Sequence, residues 1–195
     1  MHKINLTKFK QWEERNLHRA VQRHPYISKR VGQTILEVGL PPLEHLQNFN
    51  SMYIHGESGT GKTVMAVRYM LGQIAFQHAC GSILTAGFIG VPNLLLEFRA
   101  TFGRDPVETE SQVLERYASL GLLVLDDFGT QVTTDWSYQM LYMLVNRRYD
   151  DMKPMYITSN FSLTELADKM GDDRITSRLY EICDIIENKK QYRHR

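Results

Sequence analysis

Long apolar stretches are missing from this 195-residue sequence. The most sustained, Leu122 to Leu125, falls far short of the ~20 residues that cross a bilayer. No apolar segment follows the charged start Met1-His2-Lys3, so the chain reads as one without a secretory leader. Cysteine is scarce. Cys80 and Cys183 stand about a hundred positions apart with no metal-ligand spacing around them. That excludes a disulfide-stapled miniprotein and implies two reduced thiols in a cytoplasmic protein. Internal repeats and low-complexity segments are absent too. What is present is ordinary for one globular domain: 43% hydrophobic and 23% charged residues, values that exclude a disordered chain and a collagen-like fibre.

A dominant charge sign is also lacking, but the net charge of +1 conceals an uneven distribution. Residues 1–30 hold eight basic residues against Glu13 and Glu14, and residues 189–195 hold four basic and no acidic ones. The remainder carries 11 basic and 20 acidic side chains. Basic ends on an acidic body suit a polyanion or an acidic partner, with a solvated helix face as the plain alternative.

The hydrophobic rhythm divides the chain at about residue 50. Over residues 6–23, Leu6, Phe9, Trp12, Leu17, Ala20 and Val21 recur at helical spacing between basic residues. His24-Pro25 ends that helix, and a shorter apolar pattern runs from Val31 to Leu40 before Pro41-Pro42. Residues 1–50 therefore read as a basic helical N-terminal arm, too small for a core of its own. Its apolar stripe is expected to dock a partner, so that deleting residues 1–24 would leave a folded protein that loses this partner. Burial of the stripe by the body, or folding back onto the acidic body, are the alternatives. Residues 51–195 alternate short strands (51–55, 82–88, 121–126, 154–159, 182–186) with helices (62–78, 91–102, 108–119, 134–149, 162–170, 173–180). This pattern predicts an α/β domain with a mainly parallel five-stranded sheet and helices on both faces.

Gly56-Glu57-Ser58-Gly59-Thr60-Gly61-Lys62-Thr63 satisfies G-x-x-x-x-G-K-[ST], after a predicted strand and opening a predicted helix. Glycines let successive N–H groups turn inward onto phosphates, and the helix N-terminus adds positive potential. Lys62 reaches the β- and γ-phosphates, and Thr63 holds Mg²⁺. The apolar strand Leu122–Leu125 then ends in Asp126-Asp127, carboxylates at the carboxyl end of a parallel strand, where ligands bind. Asp126 is placed to hold Mg²⁺, and Asp127 to orient and deprotonate an attacking water. That second acid favours ATP hydrolysis over nucleotide kinase chemistry, and no base-reading motif of a GTPase is evident. Asn160 closes the next strand, where it either touches the γ-phosphate and lytic water or, with Ser162, caps the helix at Leu163. Arg174 and Arg178, at i and i+4 on one helix, are either arginine fingers or partners for acids such as Asp172 and Asp173.

The ordered set GESGTGKT, LLVLDDFG, NRRYDD, YITSNFS and MGDDRITSRL resembles the DnaC/IstB branch of the AAA+ ATPases, and within it the phage-type DnaC-like helicase loaders. The resemblance runs from about residue 50 to 182. It implies a P-loop NTPase sheet of order 5-1-4-3-2 with no C-terminal lid domain, since the sequence ends some seventeen residues after Arg178. It also implies paired aspartates at Asp126 and Asp127, a sensor at Asn160, an arginine finger at Arg178 and a second arginine near Arg174. Single-stranded DNA would be gripped by Phe102, Thr134 and Trp136, the aromatics stacking on bases without a sequence code. Core packing is the alternative for Phe102 and Trp136. The function implied is ATP-dependent loading of a hexameric replicative helicase onto single-stranded DNA. ATP and Mg²⁺ would sit between self-associated subunits, and turnover would be slow and stimulated by DNA or partner. An IstB-like transposition helper on duplex DNA and an ATP-gated adaptor or inhibitor of a replication protein are the alternatives. Larger loaders carry a helicase-binding domain at the N-terminus, where this sequence offers only the basic amphipathic arm.

Overall fold

The computed structural model describes residues 5–103, 106–130 and 134–189. The basic tail expected at Lys190, Arg193 and Arg195 lies outside these residues. Five parallel strands form one sheet, β1 (Ser51–His55), β2 (Ala86–Gly90), β3 (Leu122–Phe128), β4 (Met155–Ser159) and β5 (Cys183–Glu187). Their spatial order, β2-β3-β4-β1-β5, is the expected order read from the other edge. Eight helices accompany them among the described residues: α1 (Leu6–Arg23), α2 (Lys29–Val38), α3 (Lys62–Ala79), α4 (Val91–Ala100), α5 (Glu110–Ala118), α6 (Asp135–Asp150), α7 (Leu163–Met170) and α8 (Arg174–Ile182). None of these helices is long and apolar enough to cross a membrane.

Strand alternation builds two cores. Tyr53, Leu123, Leu125, Met155 and Ile157 face one way, into a cluster with α4 to α8. Met52, Ile54, Leu122, Val124 and Tyr156 face the other way, into a cluster with α1, α2 and α3. The asymmetry follows from handedness. The β1-to-β2 crossover runs toward one edge, and every later crossover runs back across the sheet. Right-handed crossovers then place α3 alone on one face and all the later helices on the other.

The arm supplies the missing cover, which corrects the expectation that its stripe is free for a partner. Phe9, Leu17 and Val21 are buried with Ile35 and Leu46 in the α3 core. Polar ties fix the arm further. Arg68 of α3 donates to the Leu40 carbonyl at 3.0 Å, and the buried Gln73 donates to the Leu46 carbonyl at 3.0 Å. Gly72 of α3 leaves room for Pro41 and Leu46, which a Cβ would meet at 2.9 and 3.0 Å. A helix packed this way is part of the fold.

Most element boundaries differ from the sequence reading by one or two residues, and two differences bear on the sheet. β2 begins at Ala86 rather than residue 82, because Ser82 to Thr85 form a surface connection with Ile83 fully solvated. β3 runs on to Phe128 through a bulge, as Leu125 pairs with Ile157 and Phe128 with Ser159. Arg148, from the NRRYDD segment, is fully buried. It donates to the carbonyls of Tyr117, Ala118, Leu120 and Pro154 at 2.6–3.1 Å, fastening the chain before β3 to the chain before β4.

Candidate nucleotide site

The glycine-rich turn sits between β1 and α3, at the carboxyl end of the central strands. Gly61 precedes α3 at φ 90°, a left-handed conformation that costs a glycine little. Gly56, at φ 144°, passes so close to Asn188 that a Cβ would run into the Asn188 carbonyl. Asn188 also donates from Nδ2 to the Thr60 carbonyl at 3.1 Å, while its amide extends the β1–β5 ladder to His55 at 2.7 Å. The residue after β5 thus braces the turn, a contact with no motif in the sequence to announce it.

Lys62 is buried, and its ammonium donates to the carbonyls of Gly56 and Glu57 at 2.8 Å each and to Asn160 Oδ1 at 2.9 Å. Burial lowers its pKa, against the opposing pull of Asp127 and Asp126. Asn160 therefore stands within reach of the lysine expected to meet the phosphates. It does not cap the next helix. Ser162 does, in a reciprocal box with Glu165.

Asp126 and Thr63 come together at 2.8 Å, the Thr63 hydroxyl donating to Asp126 Oδ1. Thr158, fully buried in β4, donates to the same oxygen at 2.6 Å. Burial raises the Asp126 pKa, since only neutral hydroxyls and the more distant Lys62 offset the charge. A carboxylate in that setting, beside a P-loop threonine, fits a divalent cation. No cluster of three or more acidic, His or Cys ligands exists among the described residues. The donor set therefore suits Mg²⁺, which keeps waters and phosphate oxygens in its shell, with Thr63 and Asp126 as the protein's contribution. Asp127 is exposed at the bulge with φ 57°. That backbone is unusual outside glycine, though Asp is among the residues that tolerate it. Its amide donates to Thr158 Oγ1 at 3.1 Å.

The arginines lie elsewhere. Arg174 pairs with Asp172 at 2.8 Å and covers the rings of Tyr138 and Tyr142. Arg178 donates from Nε to Asn146 Oδ1 at 2.8 Å and packs over Tyr142 and Tyr149. Among the described residues neither touches the P-loop of its own chain.

Phe102, 62% exposed, meets Trp136 edge-on with ring centres 5.5 Å apart. Phe102 is thus outside the core, whereas Trp136 partly packs against it. Arg99, which the sequence reading did not single out, lies 5.3 Å above the Trp136 ring. The Thr134 hydroxyl caps α6 by accepting from the Ser137 amide at 3.2 Å. Phe102, Trp136 and Arg99 together offer stacking faces and a cation on one surface.

A P-loop facing a partly buried acid near the end of β3 and an amide at the end of β4, on a five-stranded parallel sheet, defines an ATP-binding protein of the AAA+ class. The chain belongs to the family of IstB-like ATP binding proteins, which it matches over residues 4–195. It is 26% identical over 155 residues to the replicative helicase loader DnaC of Escherichia coli (strain K12), covering 76% of this chain and 58% of the relative. It is 26% identical over 143 residues to the phage-like element PBSX protein XkdC of Bacillus subtilis (strain 168), covering 69% and 48%. The chain spans about half the length of these curated relatives. The crystal structure of the DnaC helicase loader superposes with a TM-score of 0.61 at 25% identity, covering 92% of this chain and 99% of that one. The crystal structure of the DnaI shares the fold, with a TM-score of 0.58 at 21% identity over 84% and 81%.

Proposed function

We propose that this protein hydrolyses ATP at a site shared between subunits and uses the cycle to load a hexameric replicative helicase onto single-stranded DNA. The observation that carries the reading is the convergence of Lys62, Thr63, Asp126 and Asn160, joined by hydrogen bonds across three elements. Family membership and the similarity to DnaC loaders support it.

In this mechanism the phosphates draw Lys62 away from the Gly56 and Glu57 carbonyls and take up the amides of residues 56–63. Thr63 and Asp126 would hold Mg²⁺, which would supply charge neutralisation to the phosphates. Asp127 orients a water and accepts its proton as the water oxygen bonds to the γ-phosphorus and the bridging oxygen leaves with ADP. Asn160 holds the γ-phosphate or the lytic water. Arg178, with Arg174 beside it, enters the site of a neighbouring subunit and stabilises the charge of the transferring group. Such a division leaves the lone chain slow, and DNA or a partner speeds turnover by ordering subunits.

Phe102 and Trp136 stack on bases, with Arg99 and Thr134 beside them to meet the backbone. On the far side of the molecule, Lys8, Arg15 and Arg19 stay exposed on α1 once its apolar face is buried. They make no ion pair among the described residues, and they steer the protein toward a polyanion. This basic face favours one second reading, a transposition helper that holds duplex DNA, which the family's IstB-like character also suits.

The two are separated by titrating fluorescent single-stranded and duplex oligonucleotides with the full chain, ATP and Mg²⁺. Loading predicts preference for the single strand, and Phe102→Ala weakens it by about five-fold to a hundred-fold, one base stack being worth ~1–3 kcal/mol. Tighter binding to duplex, unaffected by Phe102→Ala, would overturn the loader reading.

A further inference from the structure

Thr158 belongs to no phosphate-binding motif, yet among the described residues its hydroxyl is the one group hydrogen-bonded to both Asp126 and Asp127. It is fully buried in the central strand β4, where it follows Met155, Tyr156 and Ile157 and precedes the equally buried Ser159. Its oxygen lies 2.6 Å from Asp126 Oδ1 and 3.1 Å from the Asp127 amide nitrogen. A main-chain amide only donates, so the hydroxyl oxygen accepts there, and its single proton is left for the ionised Asp126 carboxylate. No other arrangement satisfies both contacts with that acid charged.

The second contact falls at an irregular point of the sheet. Between the Leu125–Ile157 and Phe128–Ser159 pairs, β3 has one more residue than β4. The ladder therefore offers Asp127 no regular main-chain acceptor, and Thr158 provides one from its side chain. With its amide held in this way, Asp127 adopts φ 57°, and the residue stays exposed at the end of the strand.

We propose that Thr158 is a positioning residue that sets the carboxylate plane of Asp126, and with it the oxygen left for Mg²⁺, together with the bulged backbone of Asp127, through one hydroxyl. The proposal rests on the ATPase reading above, in which those two acids serve the metal and the water. Asp126 Oδ1 accepts from both Thr63 and Thr158, which fixes the plane of the carboxylate. Thr63 keeps a lone pair for the cation while its proton stays on Asp126. Removing the Thr158 hydroxyl frees the carboxylate to rotate and leaves the Asp127 amide without its acceptor, so both acids lose their aim at once.

The test compares Thr158→Val, which keeps the shape and loses the hydroxyl, with Thr158→Ser, which keeps the hydroxyl and loses the methyl. Binding of a fluorescent ATP analogue to the full chain is followed while magnesium chloride is titrated, and turnover is measured separately. In Thr158→Val the Mg²⁺ concentration for half-maximal binding rises about ten-fold or more, in line with loss of a hydrogen bond to a charged group. Turnover falls at least as far, while nucleotide binding without Mg²⁺ stays within about two-fold. Thr158→Ser restores both. Wild-type Mg²⁺ dependence in Thr158→Val overturns the proposal, as does a Ser variant as defective as the Val variant, because packing of the methyl is then the cause. If Thr158→Val does not fold, Thr158→Ala removes the hydroxyl without added bulk and is judged by the same criteria. A wild-type chain that binds Mg²⁺–nucleotide but never hydrolyses it defeats the ATPase reading, and the Mg²⁺ titration still decides the role of Thr158.

Discussion

Replacing Leu17 by alanine tests whether the arm is part of the ATPase body. Leu17 is 6% exposed and lies in the cluster formed by α1, α2, α3 and the sheet. Truncating a buried leucine costs about 2–5 kcal/mol, the spread reflecting how far the surroundings collapse. α1 packs on α3, whose other side is fixed by the sheet, so little collapse is available. A value near the middle, about 3 kcal/mol, is expected. For a chain of this size each kcal/mol moves Tm by about 2–4 °C, which places the variant roughly 6–12 °C below wild type. Arg15→Gln, on the exposed face of the same helix, should shift Tm by less than about 2 °C, since surface changes stay within ~0.5 kcal/mol. Scanning calorimetry on both proteins without nucleotide is the measurement. On the same reasoning, removal of residues 1–24 leaves the outer face of α3 bare and costs ATP binding together with the fold. A Leu17→Ala protein melting within 2 °C of wild type, or a truncated chain that still binds ATP, would refute the reasoning.

Other substitutions probe the site. Asp126→Asn should abolish Mg²⁺-dependent turnover yet raise Tm of the nucleotide-free protein by about 2 °C or more, measured by the same calorimetry. Burial holds the Asp126 pKa above its usual value, so the charge opposes folding. Wild-type stability accordingly falls as pH rises from the ordinary carboxylate pKa through the raised one, and the Asn variant lacks that component. Asp127→Asn should keep ATP affinity and lose hydrolysis, because an amide positions water but does not take its proton; phosphate release at the wild-type rate would remove Asp127 as base. Arg178→Ala should leave nucleotide binding nearly intact and cut turnover by about 10³ or more if the arginine acts as a finger. Mixing it with Lys62→Ala protomers should recover part of the activity, and no recovery would argue against a shared site.

Legibility in the sequence differed with the range of the contact. The P-loop and Asp126-Asp127 were readable because each is a local pattern whose geometry is dictated by glycine and by the end of an apolar strand. The sheet order came with the family resemblance, and the structure has it. The resting bond between Lys62 and Asn160 spans two strands and was not visible, although the polar ending Thr158-Ser159-Asn160 on a central strand marked the place. Buried hydroxyls at Thr158 and Ser159, in a strand with no apolar reason for them, were the signal that went unread. The arm was misjudged for a topological reason. An order of 5-1-4-3-2 with right-handed crossovers already leaves α3 alone on its face, and the stripe of Phe9, Leu17 and Val21 is what closes it. Asn188 could not have been found, because its bond to Thr60 depends on where β5 ends and on the close approach of Gly56.

The position of β1 in the sheet has a consequence for synthesis. β1 lies between β4 and β5, the last two strands to be made. Elongation at about 5–20 residues per second separates His55 from Met155 by roughly 5–20 s, during which the edges of Ser51–His55 have no strand to pair with. Non-local parallel pairing of this kind is slow to form and open to association meanwhile. The segments already synthesised are α1, α2 and then α3, which share one hydrophobic cluster with Met52 and Ile54 in the finished protein. The nascent chain thus carries its own shield for one face of an unpaired strand, in helices that are all made before β4.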